Sequence, residues 1–430
     1  MGLEWRREVV FTMDYRTTRR SFLAAPAAAA AYEMIRPGEA RAAGGEKLKI
    51  GLIGCGGRGT QAVVDNMQGD GGTELAAMAD LFEDHLEASL KKLRERPDMQ
   101  AYQHRIQVSP EMRFTGFDAY KKLIAAPVDV VFLATPPGWR PIHFEAVVEA
   151  NKHVFCEKPF GTDPVNVRRF MAAAKKSEEK KLTVVSGAQR RSDPFYLEQL
   201  DRLHQGEMGG VMALDAYWVG TPVIQQKDGR KPNWGEFEWE HRNWYSNLWL
   251  CGDQIVEQHL HNIDVCNWVM GTHPVKCWGV GGAVWRPKGT DIYGNIYDHF
   301  AVDFEYANGV RMSSYCRQYE HCYTRVNEII TTDRDRMTWT QTKGAPGYRN
   351  EHTKLMKSIR GEGPYVNEAM TVAESTMTCI MGREAAYSGE MITWDMIMAS
   401  QQDLFPKGNY SYDMKWAASP FPVPGEYKFV

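Results

Sequence analysis

The stretch that most constrains the fold begins at Leu48, where a short apolar run leads directly into closely spaced glycines. Residues Leu48 to Ile53 have the length and composition of a strand, Gly54-Cys-Gly-Gly-Arg-Gly59 forms a G-x-G-x-x-G pattern, and a helical pattern follows. In such a unit the first glycine allows a tight turn, the second lets a pyrophosphate approach the backbone, and the third lets helix and strand pack closely. Free amides at the helix N-terminus favour the diphosphate charge. The pattern predicts a dinucleotide-binding Rossmann domain whose cofactor loop comprises Gly54, Gly56, Gly57, Arg58 and Gly59.

An acidic residue follows at the distance expected for a ribose contact. The second predicted strand, Glu74 to Ala79, ends at Asp80, which lies 21 residues after the last glycine of the motif. A carboxylate at about this spacing accepts hydrogen bonds from the adenosine ribose hydroxyls and repels a 2′-phosphate. Leu81 and Phe82 supply no compensating cation. NAD is therefore the predicted cofactor and NADP is disfavoured, while capping of the following helix by Asp80 is compatible with this role.

Two further strands end in loops that should lie beside the glycine turn. Val128 to Ala134 is almost continuously apolar, as expected for a parallel strand buried on both faces, and His153 to Cys156 is another short strand. In an open parallel sheet, ligands bind beyond the carboxyl ends of the strands. Cofactor contacts are therefore predicted for the residues that follow these two strands, namely Thr135, Pro136, Pro137, Glu157 and Lys158.

A second candidate site lies in the stretch Gly252 to Asp264. If this stretch is one helix, Glu257, His261 and Asp264 stand at positions i, i+4 and i+7 and share a face. An imidazole titrates near neutrality and a neighbouring carboxylate can orient it, so the group could transfer protons. A single helical histidine is more often structural, and that alternative stays open at this point.

A metal centre is not predicted from the same residues. On a helix His259 and His261 project about 200° apart and cannot share one ion. The remaining pair, Glu257 and His261, falls short of a zinc ligand set. The eight cysteines are scattered without a C-x-x-C pair.

Together, the glycine motif, Glu157-Lys158-Pro159 about 100 residues later and an H-x-x-D pair at His261 and Asp264 resemble the glucose-fructose oxidoreductase, inositol dehydrogenase and MocA-like (Gfo/Idh/MocA) family. The resemblance implies an α/β fold: an N-terminal Rossmann dinucleotide-binding domain plus a C-terminal α+β domain with a large open, mostly antiparallel sheet. It also implies that Lys158 is the cofactor-side catalytic lysine, with Glu157 near the nicotinamide. Gln189 is expected to contact the cofactor, and Arg190 the substrate.

Domain boundaries follow from these motifs. Residues 1–45 are predicted to be a signal or disordered segment, residues 46–190 the NAD-binding domain, and residues 191–430 the substrate and oligomerisation domain, whose late helices could return to the Rossmann domain. Thr18-Arg-Arg-Ser-Phe-Leu23 resembles a twin-arginine signal, and Ala40-Arg-Ala42 is a candidate cleavage site. Periplasmic or exported localisation by a twin-arginine route is predicted, and a cytoplasmic extension is the alternative.

The loop Gln225 to Asn247 is dense in side chains that suit carbohydrate-like ligands, because aromatic rings with a polar handle match such surfaces. Relatives similar to inositol dehydrogenase read D-x-G-x-H-x-x-D, whereas Glu257 here reaches about 1 to 1.5 Å further than an aspartate. This difference favours a sugar other than inositol. The predicted substrate contacts are Arg190, Trp234, Arg242, Asn243, Trp244, Tyr245 and His299.

The resulting hypothesis is NAD-dependent hydride transfer involving a secondary hydroxyl of a sugar, polyol or sugar derivative. His261 would take the hydroxyl proton and Lys158 would polarise the same oxygen. Asp264 would orient His261 or a neighbouring hydroxyl, and Glu257 would orient a substrate hydroxyl. Two alternatives stay open: a redox-neutral glycoside hydrolase with tightly bound NAD, which oxidises, eliminates, adds water and re-reduces, and a non-catalytic NAD-binding sensor.

Charge and hydropathy exclude other partners. The net charge is −3, which gives no reason to expect a nucleic-acid partner, and no apolar run reaches the roughly 18 to 20 residues that span a bilayer. The family resemblance implies a homodimer or homotetramer formed through the C-terminal sheet.

Overall fold

The first half of the chain forms a parallel sheet. The computed structural model of the protein describes residues 47–287, 291–417 and 419–430, so the predicted signal segment lies outside the described residues. The sheet has six strands in the order β3-β2-β1-β4-β5-β6. The strands are β1 (Leu48–Ile53), β2 (Thr73–Asp80), β3 (Arg113–Thr115), β4 (Val130–Leu133), β5 (His153–Cys156) and β6 (Val184–Ser186).

Helices connect these strands, as the sequence predicts for crossover units. All four residues of β4 are buried, in agreement with a strand covered on both faces. Asp163 and Asp193 cap two of the helices, because their carboxylates accept hydrogen bonds from the amides of Asn166 and Phe195. The helices are α1 (Gly57–Gly69), α2 (Glu83–Glu95), α3 (Ala119–Ala125), α4 (Arg140–Glu149), α5 (Pro164–Glu179) and α6 (Pro194–His204).

The second half forms a mixed, mostly antiparallel sheet of seven strands in the order β12-β11-β7-β10-β9-β8-β13. Only the β7–β10 pair among these described strands is parallel. Gly309 has a φ of +83° in the turn that joins β9 to β10, a conformation that favours glycine in a hairpin. The strands are β7 (Val211–Gly220), β8 (Lys276–Gly282), β9 (His299–Glu305), β10 (Arg311–Gln318), β11 (Arg325–Thr332), β12 (Arg336–Trp339) and β13 (Ile392–Thr393).

Helices of the second half cover the inner face of this sheet and also reach the first half. Thr353 of α11 donates a hydrogen bond to the carbonyl of Gly69 (3.0 Å), and Arg360 of α11 pairs with Asp70 (2.6 Å). The described chain contains no helix with both the length and the apolar character needed to cross a bilayer. The helices are α7 (Glu236–Arg242), α8 (Leu248–Cys251), α9 (Gln254–Glu257), α10 (Leu260–Met270), α11 (Gly347–Arg360), α12 (Ala369–Ser388) and α13 (Trp394–Ala399).

The last 30 residues wrap the protein's own surface. Tyr427 donates a hydrogen bond to the carboxylate of Glu384 on α12 (2.6 Å). Earlier in this tail, the hydroxyl of Tyr412 donates to the carbonyl of Leu81, at the end of β2 (2.6 Å). The tail therefore extends from the second sheet back to the edge of the first.

Candidate active site

The glycine turn has the geometry that a dinucleotide requires. Gly54 has a φ of +96°, a region that favours glycine, and a Cβ atom on Gly59 would lie 2.0 Å from the carbonyl oxygen of Gly54. Cβ atoms on Gly56 and Gly57 would meet nothing within 4 Å. The first pair is thus needed for the turn itself, while the open space beside the second pair leaves room for a pyrophosphate.

Asp80 lies where the ribose would bind. One carboxylate oxygen accepts a hydrogen bond from the amide of Cys55 (2.6 Å) and the other from the amide of Phe82 (2.9 Å). Burial raises the pKa of the Asp80 carboxyl, partly offset by these amides. The carboxylate ties β2 to the glycine turn and keeps acceptor capacity for the ribose hydroxyls.

A wide cleft extends from the glycine turn past Asp80. Thr135 and Pro136 line it, as predicted for the loop after β4, whereas Pro137 is buried and begins a short 3-10 turn. Aromatic rings and histidines form most of the remaining wall. Its members include Phe82, His85, Phe117, Tyr120, Trp139, His143, His241 and Trp244. We call this the adenosine end of the cleft, because it adjoins Asp80.

Arg58 and Glu157 form an ion pair beneath the glycine turn. The Arg58 Nε donates to a Glu157 carboxylate oxygen at 2.6 Å, and Glu351 lies 3.7 Å from the same guanidinium. Glu157 also fills the space beside Gly187, where an added Cβ would lie 2.3 Å from its carboxylate. The two residues predicted to touch the cofactor therefore also fix the glycine turn to the end of β5.

Lys158 meets Glu257 just beyond β5, and we call this region the catalytic end, because the nicotinamide is predicted to bind there. The Lys158 ammonium donates hydrogen bonds to the Glu257 carboxylate (3.0 Å) and to its backbone carbonyl (2.5 Å). Both residues are buried, at 8% exposure each. The sequence placed them 99 residues apart, and the structure brings them together as one charge pair.

The stretch Gly252 to Asp264 is not one helix, contrary to the first expectation. Helix α9 ends at Glu257 and α10 begins at Leu260, with Gln258 and His259 between them. His259 is fully buried and its Nε2 forms a hydrogen bond with Ser314 of β10 (2.8 Å). The break changes which side chains share a face.

His261 lies beside this charge pair in neutral form. Burial, together with the nearby Lys158 and Arg190 charges, lowers the pKa of the His261 imidazole well below its usual range. Its Nδ1 is buried without a hydrogen-bond partner among the described residues. The ring stacks on Trp218, with centroids 5.7 Å apart and an interplanar angle of 24°. A neutral imidazole can accept a proton from a hydroxyl.

Asp264 forms no hydrogen bond with His261 among the described residues, so the prediction that it orients this histidine is wrong. Arg191 donates two hydrogen bonds to the Asp264 carboxylate (2.7 and 2.8 Å), and Ser375 donates a third (2.7 Å). Asp264 is 1% exposed. Because α10 starts anew after Glu257, Asp264 faces Arg191 and α12, and its role is structural.

Most of the predicted substrate rim lies elsewhere. Arg242 pairs with Asp84 of α2 (3.0 Å), and its guanidinium lies over the rings of Phe82 (3.9 Å) and Trp234 (4.8 Å). Trp244 lines the adenosine end. Arg242, the last residue of α7, thus faces α2, and the substrate contacts expected of these three residues stay predictions.

Asn243 is also structural, contrary to prediction. It is fully buried, and its amide donates to the carbonyls of Asp291 (3.2 Å) and Ile292 (2.9 Å). Tyr245 is different, since its hydroxyl accepts a hydrogen bond from Gln318 (2.7 Å) and burial, together with the Glu257 charge, raises its pKa. Tyr245 is the member of the predicted rim that reaches the catalytic end.

The predicted substrate role of His299 is wrong. Phe300, Val302 and Phe304 of β9 are buried and face inward, so His299 points to the opposite face of the sheet. Its Nδ1 forms hydrogen bonds with Asp298 (2.8 Å) and Tyr319 (3.0 Å).

Arg190 and Gln189 lie beneath the catalytic end. Arg190 is buried in an ion pair with Glu328 and offers the substrate no open face, which corrects its predicted role. The Glu328 carboxylate also accepts hydrogen bonds from Tyr196 (2.7 Å) and Asn262 (2.5 Å). Gln189 is 3% exposed, and its side-chain oxygen has no partner among the described residues; its cofactor contact stays a prediction.

Trp218 was missed from the sequence. It lies on the inward face of β7, where it pairs across the sheet with Val326 of β11. Val326 is 41% exposed. The alternation in Val211–Gly220 marks which residues face inward, but only the packing of α10 against β7 shows that Trp218 meets His261.

Comparison with known proteins agrees with this geometry. Residues 48–186 match the profile described as the oxidoreductase family, NAD-binding Rossmann fold (GFO_IDH_MocA). The uncharacterized oxidoreductase YrbE of Bacillus subtilis is 22% identical over 60% of this chain and 71% of its own length. Inositol 2-dehydrogenase 3 of Saccharopolyspora erythraea is 29% identical over 44% of this chain and 47% of its own length. The chain thus spans about half the length of the latter relative.

A solved structure matches both halves of the fold. Scyllo-inositol dehydrogenase from Lactobacillus casei with bound NAD(H) and scyllo-inositol superposes with a TM-score of 0.63. The match covers 81% of this chain and 99% of that chain at 16% identity. The protein is therefore an NAD-binding oxidoreductase with a Rossmann domain and a second, mostly antiparallel domain. Residues 48–186 therefore match the Rossmann profile of the Gfo/Idh/MocA oxidoreductases, and the solved structure matches the fold of both halves.

Proposed function

We propose that the protein oxidises or forms a secondary hydroxyl of a sugar, polyol or sugar derivative, with NAD as the hydride carrier. The observation that carries this proposal is the buried group of Lys158, Glu257 and neutral His261 at the catalytic end of the NAD cleft. NAD, when bound, accepts the hydride from the carbinol carbon or returns it.

The side chains have distinct tasks in this reaction. His261 accepts the hydroxyl proton through its neutral imidazole during oxidation and donates it back in the reverse direction. Lys158 donates a hydrogen bond to the reacting oxygen and stabilises negative charge there. Glu257 holds the Lys158 ammonium in place through two contacts. The Tyr245 hydroxyl accepts a hydrogen bond from the Gln318 side-chain amide, so its own proton is free to be donated to a substrate oxygen.

The substrate class follows from the same surroundings. The relatives named above include proteins called inositol dehydrogenases, and one was solved with scyllo-inositol. In this chain Trp218 adds an aromatic wall beside His261, with its indole N–H unpaired among the described residues. Aromatic faces of this type pack against the C–H faces of sugar rings.

The proposal is tested with a panel of polyols, sugars and glycosides on the NAD-loaded protein, with reduced nicotinamide detected by absorbance. We expect NADH from at least one compound with adjacent secondary hydroxyls. Absence of any redox change across the panel, in a protein shown by mass spectrometry to contain NAD, would favour the sensor alternative.

The redox-neutral glycoside hydrolase is the second candidate, since the same residues could serve both. Incubation of glycosides in deuterated water separates the two reactions. Sugar release with deuterium at carbon 2 and no need for added NAD indicates the hydrolase, whereas stoichiometric NADH indicates the dehydrogenase.

We also propose export by a twin-arginine route and assembly through the second sheet. The motif at Thr18 to Leu23 supports export, and the exposed Trp278, Val280 and Tyr315 on the outer sheet face support assembly. Cell fractionation of an Arg19→Lys/Arg20→Lys variant tests the first, with cytoplasmic retention expected. Sedimentation of a Trp278→Asp variant tests the second, with a smaller assembly expected; wild-type behaviour in either experiment would contradict that part.

A further inference from the structure

The adenosine end of the cleft is backed by chain segments that do not belong to the Rossmann domain. Phe117 lines the cleft, and its ring also meets those of Tyr412 (5.3 Å between centroids) and Tyr410 (6.0 Å) from the C-terminal tail. Phe237 of α7 also contacts it (5.9 Å). A wall of the cofactor cleft is therefore held in place from outside by two later parts of the chain.

Directional bonds hold these later segments against the Rossmann domain. Tyr412 donates to the carbonyl of Leu81 and stacks on Phe82 (5.9 Å), immediately beyond Asp80. Arg242 of α7 pairs with Asp84 and covers the Phe82 ring. These contacts lie beside the predicted ribose contact, and cofactor departure from this end would disturb them.

A third contact joins the same segments next to Phe117, whose ring also meets those of Trp139 (6.2 Å) and His241 (6.1 Å). The indole N–H of Trp139 donates to the Nε2 of His241 (2.9 Å), and both side chains line the adenosine end. The His241 Nδ1 in turn contacts the carbonyl of Phe237 (2.6 Å). The His241 imidazole therefore connects the loop after β4 to α7.

We propose that residues 403–416 together with α7 form a strap that encloses the adenosine half of NAD and retains the cofactor between turnovers. Departure of the adenosine requires Phe82 or Phe117 to move, and both are pinned by strap residues. The strap slows entry and release alike, so NAD behaves as a resident group. Retention depends on NAD binding at the cleft and is independent of which substrate the catalytic end takes.

Retention has a consequence for turnover. A resident NAD that has accepted a hydride must return it in place, either to a second carbonyl substrate or to an intermediate of the same substrate. The hydride and one proton taken from a carbinol then reappear as a new C–H and O–H bond, and no free NADH is released.

The test measures release of bound NAD from the full-length protein, without substrate. The NAD-loaded protein is mixed with excess NAD labelled in the adenine ring, and exchange is followed by mass spectrometry. Tyr412→Phe removes one hydrogen bond and should speed release about fivefold. Arg242→Ala removes the pair with Asp84 and the cover on Phe82 and should speed it about tenfold.

Matched control variants remove contacts of the same two kinds, a tyrosine hydrogen bond and an arginine ion pair. These contacts also join the second half of the chain to the Rossmann domain, but they lie away from the cleft. Tyr365→Phe deletes a tyrosine bond to the carbonyl of Leu182 (3.1 Å). Arg360→Ala deletes an arginine pair with Asp70 (2.6 Å). Release rates in these variants should match the wild type.

Hydrogen exchange of the wild-type protein supplies a measurement that needs no variant. With NAD bound, amides in residues 403–416 should exchange more slowly than in charcoal-treated protein. Equal release from wild type and from the Arg242→Ala/Tyr412→Phe double variant would overturn the proposal. So would equal acceleration in both controls, or unchanged exchange in residues 403–416.

Discussion

The two ends of the cleft are built from different chemistry. The adenosine end is lined by aromatic rings and by histidines whose pKa burial lowers, to about 3 for His143 and about 4 for His241. The catalytic end and its surroundings instead contain buried ion pairs: Lys158–Glu257, Arg190–Glu328 and Arg191–Asp264. The adenosine end is suited to bind the cofactor by its shape and a few hydrogen bonds, whereas the catalytic end holds charged side chains in position. Changes at the adenosine end should therefore alter cofactor binding, and changes at the catalytic end should alter the chemical step.

The largest effect is expected at the catalytic end. Replacing Lys158 alone would leave Glu257 as an unpaired buried charge, at a stability cost of about 3 to 5 kcal/mol. The Lys158→Met/Glu257→Gln double variant removes both charges and should fold with NAD bound. We expect kcat about 1,000-fold lower, because the reacting oxygen loses its charge stabilisation. Turnover within tenfold of wild type would mean that Lys158 does not act on that oxygen.

The next effect should appear at the adenosine end. Asp80→Asn keeps the side-chain shape but removes the charge that accepts ribose hydrogen bonds, and NAD binding should weaken about 10- to 100-fold. Calorimetric titration of NAD-free protein measures this affinity. Because the single amide oxygen of Asn can replace only one of the two acceptors used by the amides of Cys55 and Phe82, thermal unfolding is recorded in parallel. NAD affinity equal to wild type would place the ribose away from Asp80.

Glu257→Gln alone should lower the activity less than the double variant does. Lys158 keeps its bond to the Glu257 backbone carbonyl but loses the carboxylate partner. We expect kcat/KM to fall about tenfold, since the ammonium is held by one contact in place of two charge-assisted ones. The rate of reduction of the bound NAD at a range of concentrations of the panel substrate measures this, with Glu257→Asp as the variant that retains the charge. If Glu257→Gln and Glu257→Asp behave like wild type, the charge pair does not position Lys158.

The smallest effect concerns acid stability at the adenosine end. Burial holds the pKa of His241 at about 4, below the roughly 6.5 of an unfolded histidine, so below pH 6.5 only the unfolded state gains a proton. Stability then falls as the pH falls, by about 1.4 kcal/mol per unit for this residue until pH 4. Between pH 7 and pH 5, His241→Gln should therefore lose about 2 kcal/mol less unfolding free energy than wild type in urea titrations. Equal losses would contradict a neutral, buried His241.

The sequence predicted those features that depend on neighbouring residues. The glycine turn and Asp80 are tied to adjacent strands, so their spacing alone placed them at the cofactor. Lys158 follows β5 directly, and parallel strands end at one sheet edge.

The sequence could not predict where side chains point once a helix has ended and the chain has changed direction. Arg242 and Tyr245 are three residues apart, yet one meets α2 and the other the catalytic end, because a short 3-10 turn begins between them at Trp244. The interruption after Glu257 likewise turns Asp264 toward Arg191. The two breaks are set by packing against distant elements, which periodicity in the chain does not encode.

The central claim is that the catalytic end transfers a hydride from a carbinol carbon while His261 takes the proton. The most direct measurement is a single turnover of NAD-loaded protein with the panel substrate deuterated at that carbon, followed by rapid mixing and mass spectrometry of the nicotinamide. We predict deuterium in the nicotinamide ring of the wild type, and a transfer about 1,000-fold slower in His261→Asn with the same NAD content. A nicotinamide free of deuterium, or transfer at the wild-type rate in His261→Asn, would contradict the claim.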